Sequence, residues 1–178
     1  MPHGVFEATT LIEDGVISML IDGNGEGLEA QVLDVGDAVL MPGVVDPHVH
    51  INEPGRTDWE GFDTATKAAA AGGITTMIEM PLNSTPVTTS AEALEEKVKA
   101  AEGKLNVNCG FWGGIIPDNA DNLEALLQSG VFGIKAFLID SGLADFPNVS
   151  EDDLRKGMTA IAKAGMPLLV HEIGRAHV

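Results

Sequence analysis

Apolar and polar positions follow two rhythms along this 178-residue chain. Up to Met41 the apolar residues come in short runs. Residues 5–12 and 15–21 predict two strands around the turn Glu13-Asp14-Gly15, and residues 29–40 predict a third strand with room for a fourth. Strands so few do not close a sandwich, so this segment, residues 1–41, needs further strands from elsewhere. Gly23-Asn24-Gly25-Glu26-Gly27 resembles a dinucleotide glycine pattern only superficially. No strand–loop–helix unit surrounds it, and it reads as a turn.

From Met41 the rhythm becomes strand then helix, repeated. Strands are predicted at 44–51, 74–80, 106–116, 131–140 and 167–171. Between them lie a helix at 58–71 stopped by Gly72-Gly73, one at 90–102 capped by Ser90, and a short one at 121–129 closed by Gly130. A last helix opens on Ser150-Glu151-Asp152-Asp153, a cap with acids in the first turn, and runs to Ala164-Gly165. Such units imply an α/β fold with a parallel sheet and crossovers.

The first of these strands ends in Asp46-Pro47-His48-Val49-His50. A side-chain period of two puts Asp46, His48 and His50 on one face, the histidines roughly 6–7 Å apart along the strand. Two imidazoles so placed can reach one metal ion through bonds of about 2.0–2.1 Å. An ordinary strand with two polar residues is the alternative; two histidines in register with an acid favour the metal site. His48, His50, Asn83, Lys135 and His171 all fall at or just past predicted strand ends. A barrel builds its site in that way, at the C-terminal face of its strands, whereas a dinucleotide fold would show a glycine fingerprint after its first strand.

Composition narrows the partners. The 44% hydrophobic content is that of a globular chain, and 27 acids against 10 bases, a net charge of −17, argue against nucleic acid or an anionic membrane surface. With one cysteine, Cys109, no intrachain disulfide and no cysteine-rich zinc site can form; in its apolar stretch it reads as a buried, inert thiol. The N-terminus shows no basic region followed by an apolar core, and no run approaches the ~20 apolar residues of a membrane span, so a soluble, cytoplasmic protein is expected.

Lys135 is the unusual member of the set, because it sits in the apolar strand Val131-Phe132-Gly133-Ile134-Lys135-Ala136-Phe137. A buried ammonium is costly unless paired or neutralised. Its head either snorkels to the strand end or stays neutral and reacts with carbon dioxide. The resulting carbamate has two oxygens and can bridge two metal ions about 3.5–4 Å apart. Two bridged divalent ions suit hydrolysis by a shared hydroxide. His48, His50 and His171 suit zinc foremost, and manganese, cobalt or nickel as well. Asp46 faces the site but reads as a support to a histidine, and no other acid in the chain is a convincing base.

Met41-Pro42-Gly43-Val44-Val45-Asp46-Pro47-His48-Val49-His50 resembles the first metal motif of the cyclic amidohydrolases, the dihydroorotases, dihydropyrimidinases (hydantoinases) and allantoinases. Ile51-Asn52-Glu53-Pro54-Gly55-Arg56-Thr57-Asp58-Trp59-Glu60-Gly61-Phe62, Ala70-Ala71-Gly72-Gly73-Ile74-Thr75-Thr76, Met80-Pro81-Leu82-Asn83-Ser84-Thr85-Pro86, Phe111-Trp112-Gly113-Gly114 and Gly133-Ile134-Lys135-Ala136-Phe137-Leu138-Ile139-Asp140-Ser141-Gly142 are similar to the allantoinase group. The resemblance implies that His48 and His50 bind one ion, that carboxylated Lys135 bridges, and that His171 binds a second. It implies that Asn83, Asp140 and Ser141 lie near the substrate and that allantoin is hydrolysed to allantoate. The absence of tyrosine counts against a hydantoinase, and Ile51-Asn52 in place of an arginine counts against a dihydroorotase. A non-catalytic scaffold on the same fold is the rival of another class.

The resemblance also implies a partial (β/α)8 barrel of five strands out of eight over residues 42–171, with residues 1–41 as part of a small β-sandwich. A further histidine and a catalytic aspartate would follow His171. Glu172-Ile173-Gly174-Arg175-Ala176-His177-Val178 does not read as barrel sequence. It is what a common sequencing adapter, GAG-ATC-GGA-AGA-GCA-CAC-GTC, encodes in frame. This tail is therefore expected to be non-native and His177 to be no ligand. The 178 residues alone are expected to be inactive and prone to aggregate through two open sheet edges, and the full-length protein to be a homo-oligomer.

Overall fold

The computed structural model describes residues 4–121 and 123–172, so residues 173–178 of the adapter-like tail lie outside the described residues. The chain divides into two compact units, Met1–Pro42 and Gly43–Val178.

The first unit is a hairpin. Strands β1 (Ala8–Glu13) and β2 (Val16–Asp22) pair antiparallel, with Glu13 opposite Val16. The two residues between them, Asp14 and Gly15, both have positive φ (50° and 77°). That conformation matches the twist of a two-residue hairpin, and Asp-Gly is among the few pairs that adopt it readily. Thr9 Oγ1 closes the base on the Gly23 carbonyl at 2.8 Å. The third strand expected in residues 29–40 is not formed. Asp34 Oδ1 accepts the Gly36 N–H at 2.8 Å and the Ala38 N–H reaches the Val35 carbonyl at 3.2 Å, so a local turn interrupts the extended run.

The second unit alternates strand and helix. β3 (Val44–Val49), β4 (Ile74–Glu79) and β5 (Asn108–Phe111) form one parallel sheet in that order; β6 (Gly113–Gly114), β7 (Ile134–Phe137) and β8 (Leu168–His171) form a second. One strand was expected at 106–116; two are found, separated by Trp112. At this point the pairing changes sides. The Trp112 N–H goes to the Glu79 carbonyl (2.8 Å) and the Gly113 N–H to the Gly133 carbonyl (2.9 Å), so successive amides serve opposite neighbours. The fold is α/β with parallel strands, as the alternation predicts.

Helices α1 (Phe62–Ala71), α2 (Ala91–Ala101), α3 (Leu123–Gln128) and α4 (Glu151–Lys163) lie between the strands. Ser90 Oγ accepts the Ala93 N–H, and Ser150 with Asp153 forms a reciprocal capping box. The first helix starts at Phe62, later than the 58 expected, because the Glu53 carboxylate reaches in and accepts the Phe62 N–H at 2.9 Å. Lys104 pairs with that same carboxylate. Ile51, Phe62, Met77, Leu94, Ile115, Leu123, Ile134 and Ile161 pack in the main core; Met80, Leu82, Trp112, Phe137 and Phe146 form a second cluster. Burying each such side chain contributes about 1.5–3 kcal/mol. Among the described residues no helix is long and apolar enough to cross a membrane.

Candidate metal centre

β3 carries the first candidate ligand, His48, and the second, His50, follows its last residue. Pro47 lacks an N–H, and the register steps from Asp46 opposite Met77 to Val49 opposite Glu79, one residue more on β3 than on β4. The bulge breaks the alternation expected to run from Asp46 through His48. Asp46 Oδ1 accepts the His48 main-chain N–H at 3.0 Å, so its described contact is with the backbone of the histidine. His48 and His50 themselves meet, ring centroids 5.3 Å apart and planes inclined by 52°. Two imidazoles on one tetrahedral ion, with bonds of about 2.1 Å, have ring centres about 5 Å apart. The pair fits a shared cation.

His50 is the electrostatic centre of the group. Its pKa lies below the ordinary histidine value. Although part of the residue meets solvent, desolvation is the largest cause, followed by the positive charges of His48, Lys135 and Lys97; a hydrogen bond with Asn83 opposes them. Neutral imidazole is the form that donates to a metal. Asn83, held at a φ of 78°, also accepts at its carbonyl from the Asn52 side chain at 3.5 Å.

Lys135 lies within β7, as its second residue, whereas the sequence suggested a strand end. The residue is only 4% exposed, and burial pushes its pKa down. Nζ stands 5.2 Å from the centroid of Phe137. Phe137 in turn stacks on His171, which is opposite it in the β7–β8 ladder. His50 thus feels Lys135, and Phe137 lies beside both Lys135 and His171.

Asp140 and Ser141 are engaged locally. Asp140 Oδ1 accepts the Gly142 N–H at 2.9 Å, and Ser141 Oγ donates to the Phe146 carbonyl at 2.5 Å and accepts the Leu143 N–H at 3.1 Å. Among the described residues, no three His, Cys, Asp or Glu side chains gather closely enough to hold one ion. The donor set on hand is the histidine pair with a desolvated lysine.

Two participants were not read from the sequence. Glu79 and Lys97 form an ion pair of 2.6 Å with both side chains 0% exposed. A signal existed: Glu79 closes an apolar strand, and Lys97 occupies the buried stripe of α2 with Ala93, Leu94 and Ala101. Phe137 was read only as part of an apolar run.

Fold and site define an α/β protein that lines polar, nitrogen-bearing side chains along parallel strands. The chain belongs to the amidohydrolase family, whose sequence profile matches residues 39–177. It is 46% identical over 177 residues to allantoinase of Arabidopsis thaliana, covering 96% of this chain and 35% of that protein. It is 52% identical over 162 residues to the mitochondrial allantoinase of Aquarana catesbeiana, covering 90% and 34%. Among solved structures, the L-hydantoinase (dihydropyrimidinase) from Arthrobacter aurescens superimposes with a TM-score of 0.85 at 34% identity, covering 92% of this chain and 36% of that one. The chain spans about a third of the length of the curated relatives it matches.

Proposed function

We propose that the whole protein hydrolyses a cyclic amide, and that the amide is allantoin, opened to allantoate. The observation that carries the hydrolase reading is the 5.3 Å separation of the His48 and His50 rings, in a site where Lys135 is desolvated. The substrate is taken from the likeness to curated allantoinases.

In this reading His48 and His50 would hold one divalent ion, His171 would hold a second and carboxylated Lys135 would be shared between the two, with zinc the first choice and manganese, cobalt or nickel compatible with the same donors. Two ions bound there supply Lewis acidity towards a carbonyl and bring the pKa of water towards neutrality. The chain's own residues prepare the site. Asn83 stands near His50 and favours its charged form. Burial favours the neutral amine of Lys135, whose lone pair can form the N–C bond of a carbamate with carbon dioxide and release a proton. Asp140 and Ser141 are assigned to the substrate side, in a loop whose shape Ser141 keeps through Leu143 and Phe146.

We read the strands from Gly43 onward, with β5 and β6 as one, as five strands of an eight-stranded barrel, and residues 1–41 as a contribution to a small sandwich. The whole protein is then a cytoplasmic homo-oligomer acting on a small molecule, and residues 1–178 on their own are expected to show no turnover. The likeness to an L-hydantoinase supports a second reading, a dihydropyrimidine as substrate.

The test is hydrolysis of allantoin by the protein expressed from its complete source gene, with and without a chelator, beside dihydrouracil and dihydroorotate. Chelator-sensitive production of allantoate is expected. Turnover of dihydrouracil alone would replace the substrate and keep the reaction class. No turnover and no bound metal would overturn the reading in favour of a scaffold.

A further inference from the structure

The Glu79–Lys97 pair joins the end of β4, the strand paired with β3, to α2. Burying two charges costs several kcal/mol per ion, and an apolar pair of similar volume often stabilises a fold as well or better. Stability alone therefore does not account for it. Its remaining hydrogen bonds all go to main chain around His50. Glu79 Oε1 accepts the N–H of Ile51, the residue after His50, at 3.3 Å. Lys97 Nζ donates to Glu79 Oε2 at 2.6 Å and to the Met80 carbonyl at 3.3 Å, at the entry to the loop that carries Asn83. Val49 is in register with Glu79, and the Met80 N–H reaches the Val49 carbonyl at 2.8 Å. One buried pair thus grips both segments that meet at the His50 ring.

We propose that Glu79 is a positioning residue for the metal centre: its carboxylate anchors the backbone at Ile51 so that His50 faces His48 at metal-binding separation, while Lys97 offsets the charge that this buried carboxylate brings. This rests on the metal-centre reading above. Glu79 reaches the histidine through one peptide unit, so the backbone contact, rather than the charge, transmits its effect.

Two double variants isolate the oxygen that accepts the Ile51 N–H in the whole protein. Glu79→Gln with Lys97→Met removes both charges and keeps an oxygen for the Ile51 N–H. Glu79→Leu with Lys97→Met removes the oxygen as well. Both are expected to fold, because neither leaves a charge buried and unpaired. Co2+ affinity, measured by competition with a chelating dye, is expected to stay within about threefold of the parent in the first variant. It is expected to fall about 10–100-fold in the second, as for supports of metal-ligating histidines. Equal affinity in the two variants would overturn the proposal. A second readout needs no metal: the Ile51 amide is expected to exchange with deuterium slowly in the parent and the Gln variant and at least tenfold faster in the Leu variant. Equal exchange would also overturn it. A parent that binds no Co2+ while showing this exchange pattern would overturn the metal centre and leave the backbone anchor standing.

Discussion

Phe137 and His171 lie face to face, ring centroids 4.7 Å apart and planes 11° from parallel, as directly paired residues of neighbouring strands. Phe137 also packs edge-on against Phe146, centroids 5.8 Å apart, so its own ring is held from another direction. A ring fixed in this way limits the angles open to the histidine. Aromatic stacking contributes about 0.5–1.5 kcal/mol beyond area burial. Phe137→Leu keeps much of the apolar volume and removes the stacked face. The upfield ring-current shifts of the His171 protons are expected to disappear in that variant while the fold is retained. Phe137→Ala is expected to cost about 3–5 kcal/mol in urea unfolding, the loss of a buried aromatic. Unchanged His171 shifts in the Leu variant would mean that the stack does not hold in solution.

The histidine pair makes a separate prediction about binding. A metal that binds only the native state stabilises it by about 2.7 kcal/mol at a free concentration a hundred times Kd. Zinc at that ratio is expected to raise the urea midpoint of the whole protein, and a chelator to return it. His48→Ala and His50→Ala each remove one of two imidazoles and are each expected to weaken binding by more than about 100-fold, beyond the range seen for indirect supports. Calorimetric titration of each variant checks it. Wild-type affinity in His48→Ala would exclude that ring as a ligand.

These two sites also show what could be read before the structure. Ser90, Ser150 and Gly72 mark helix ends because caps are local chemistry, and Asp14-Gly15 marks its hairpin for the same reason. The His48-Val49-His50 spacing carries over into a ring contact, since residues so close in sequence at the end of one strand stay neighbours in space. Non-local facts were less legible. The bulge at Pro47 depends on where β4 offers its amides, and the step at Trp112 depends on neighbours on both sides. Residues 29–40 have strand-forming composition but turn at Asp34–Gly36. Lys135 stood out as a charge in an apolar strand. Glu79, equally out of place, needed Lys97 from a helix 18 residues on before its role appeared.

Thr66 makes the packing behind α1 testable. Its side chain is buried; Oγ1 donates to the Phe62 carbonyl at 2.6 Å and accepts from Asn106 through both its main-chain N–H and its side-chain amide, each at 3.1 Å. Valine has the same shape and no acceptor, so Thr66→Val leaves Asn106 donors without that partner. A cost of about 1–3 kcal/mol is expected, read as a lower urea midpoint at constant slope. Thr66→Ser keeps the hydroxyl and is expected to cost less. A serine variant less stable than the valine one would show that the methyl packing, and not the hydrogen bonds, carries this position.

Cys109 is the clearest case for a pH experiment. It lies at the second position of β5, partly buried, with its thiol directed to the Gly110 carbonyl at 3.6 Å. Burial is the main cause that pushes the thiol from 9.0 up to about 12; the negative charge of Glu79 adds to it and Lys97 opposes it. Only the thiolate reacts with an alkylating reagent, so at pH 8 the folded chain should present about a thousandfold less of the reactive form than the unfolded chain. Iodoacetamide labelling is expected to be slow in buffer and fast in urea. The sign for stability follows from the same shift. Between about pH 9 and about pH 12 the folded state keeps a proton that the unfolded state has released, so this group makes stability fall as pH rises through that window and leaves it unchanged below. Labelling in buffer at the denatured rate would mean that the thiol is neither buried nor shifted, and that β5 does not pack against its neighbours as described.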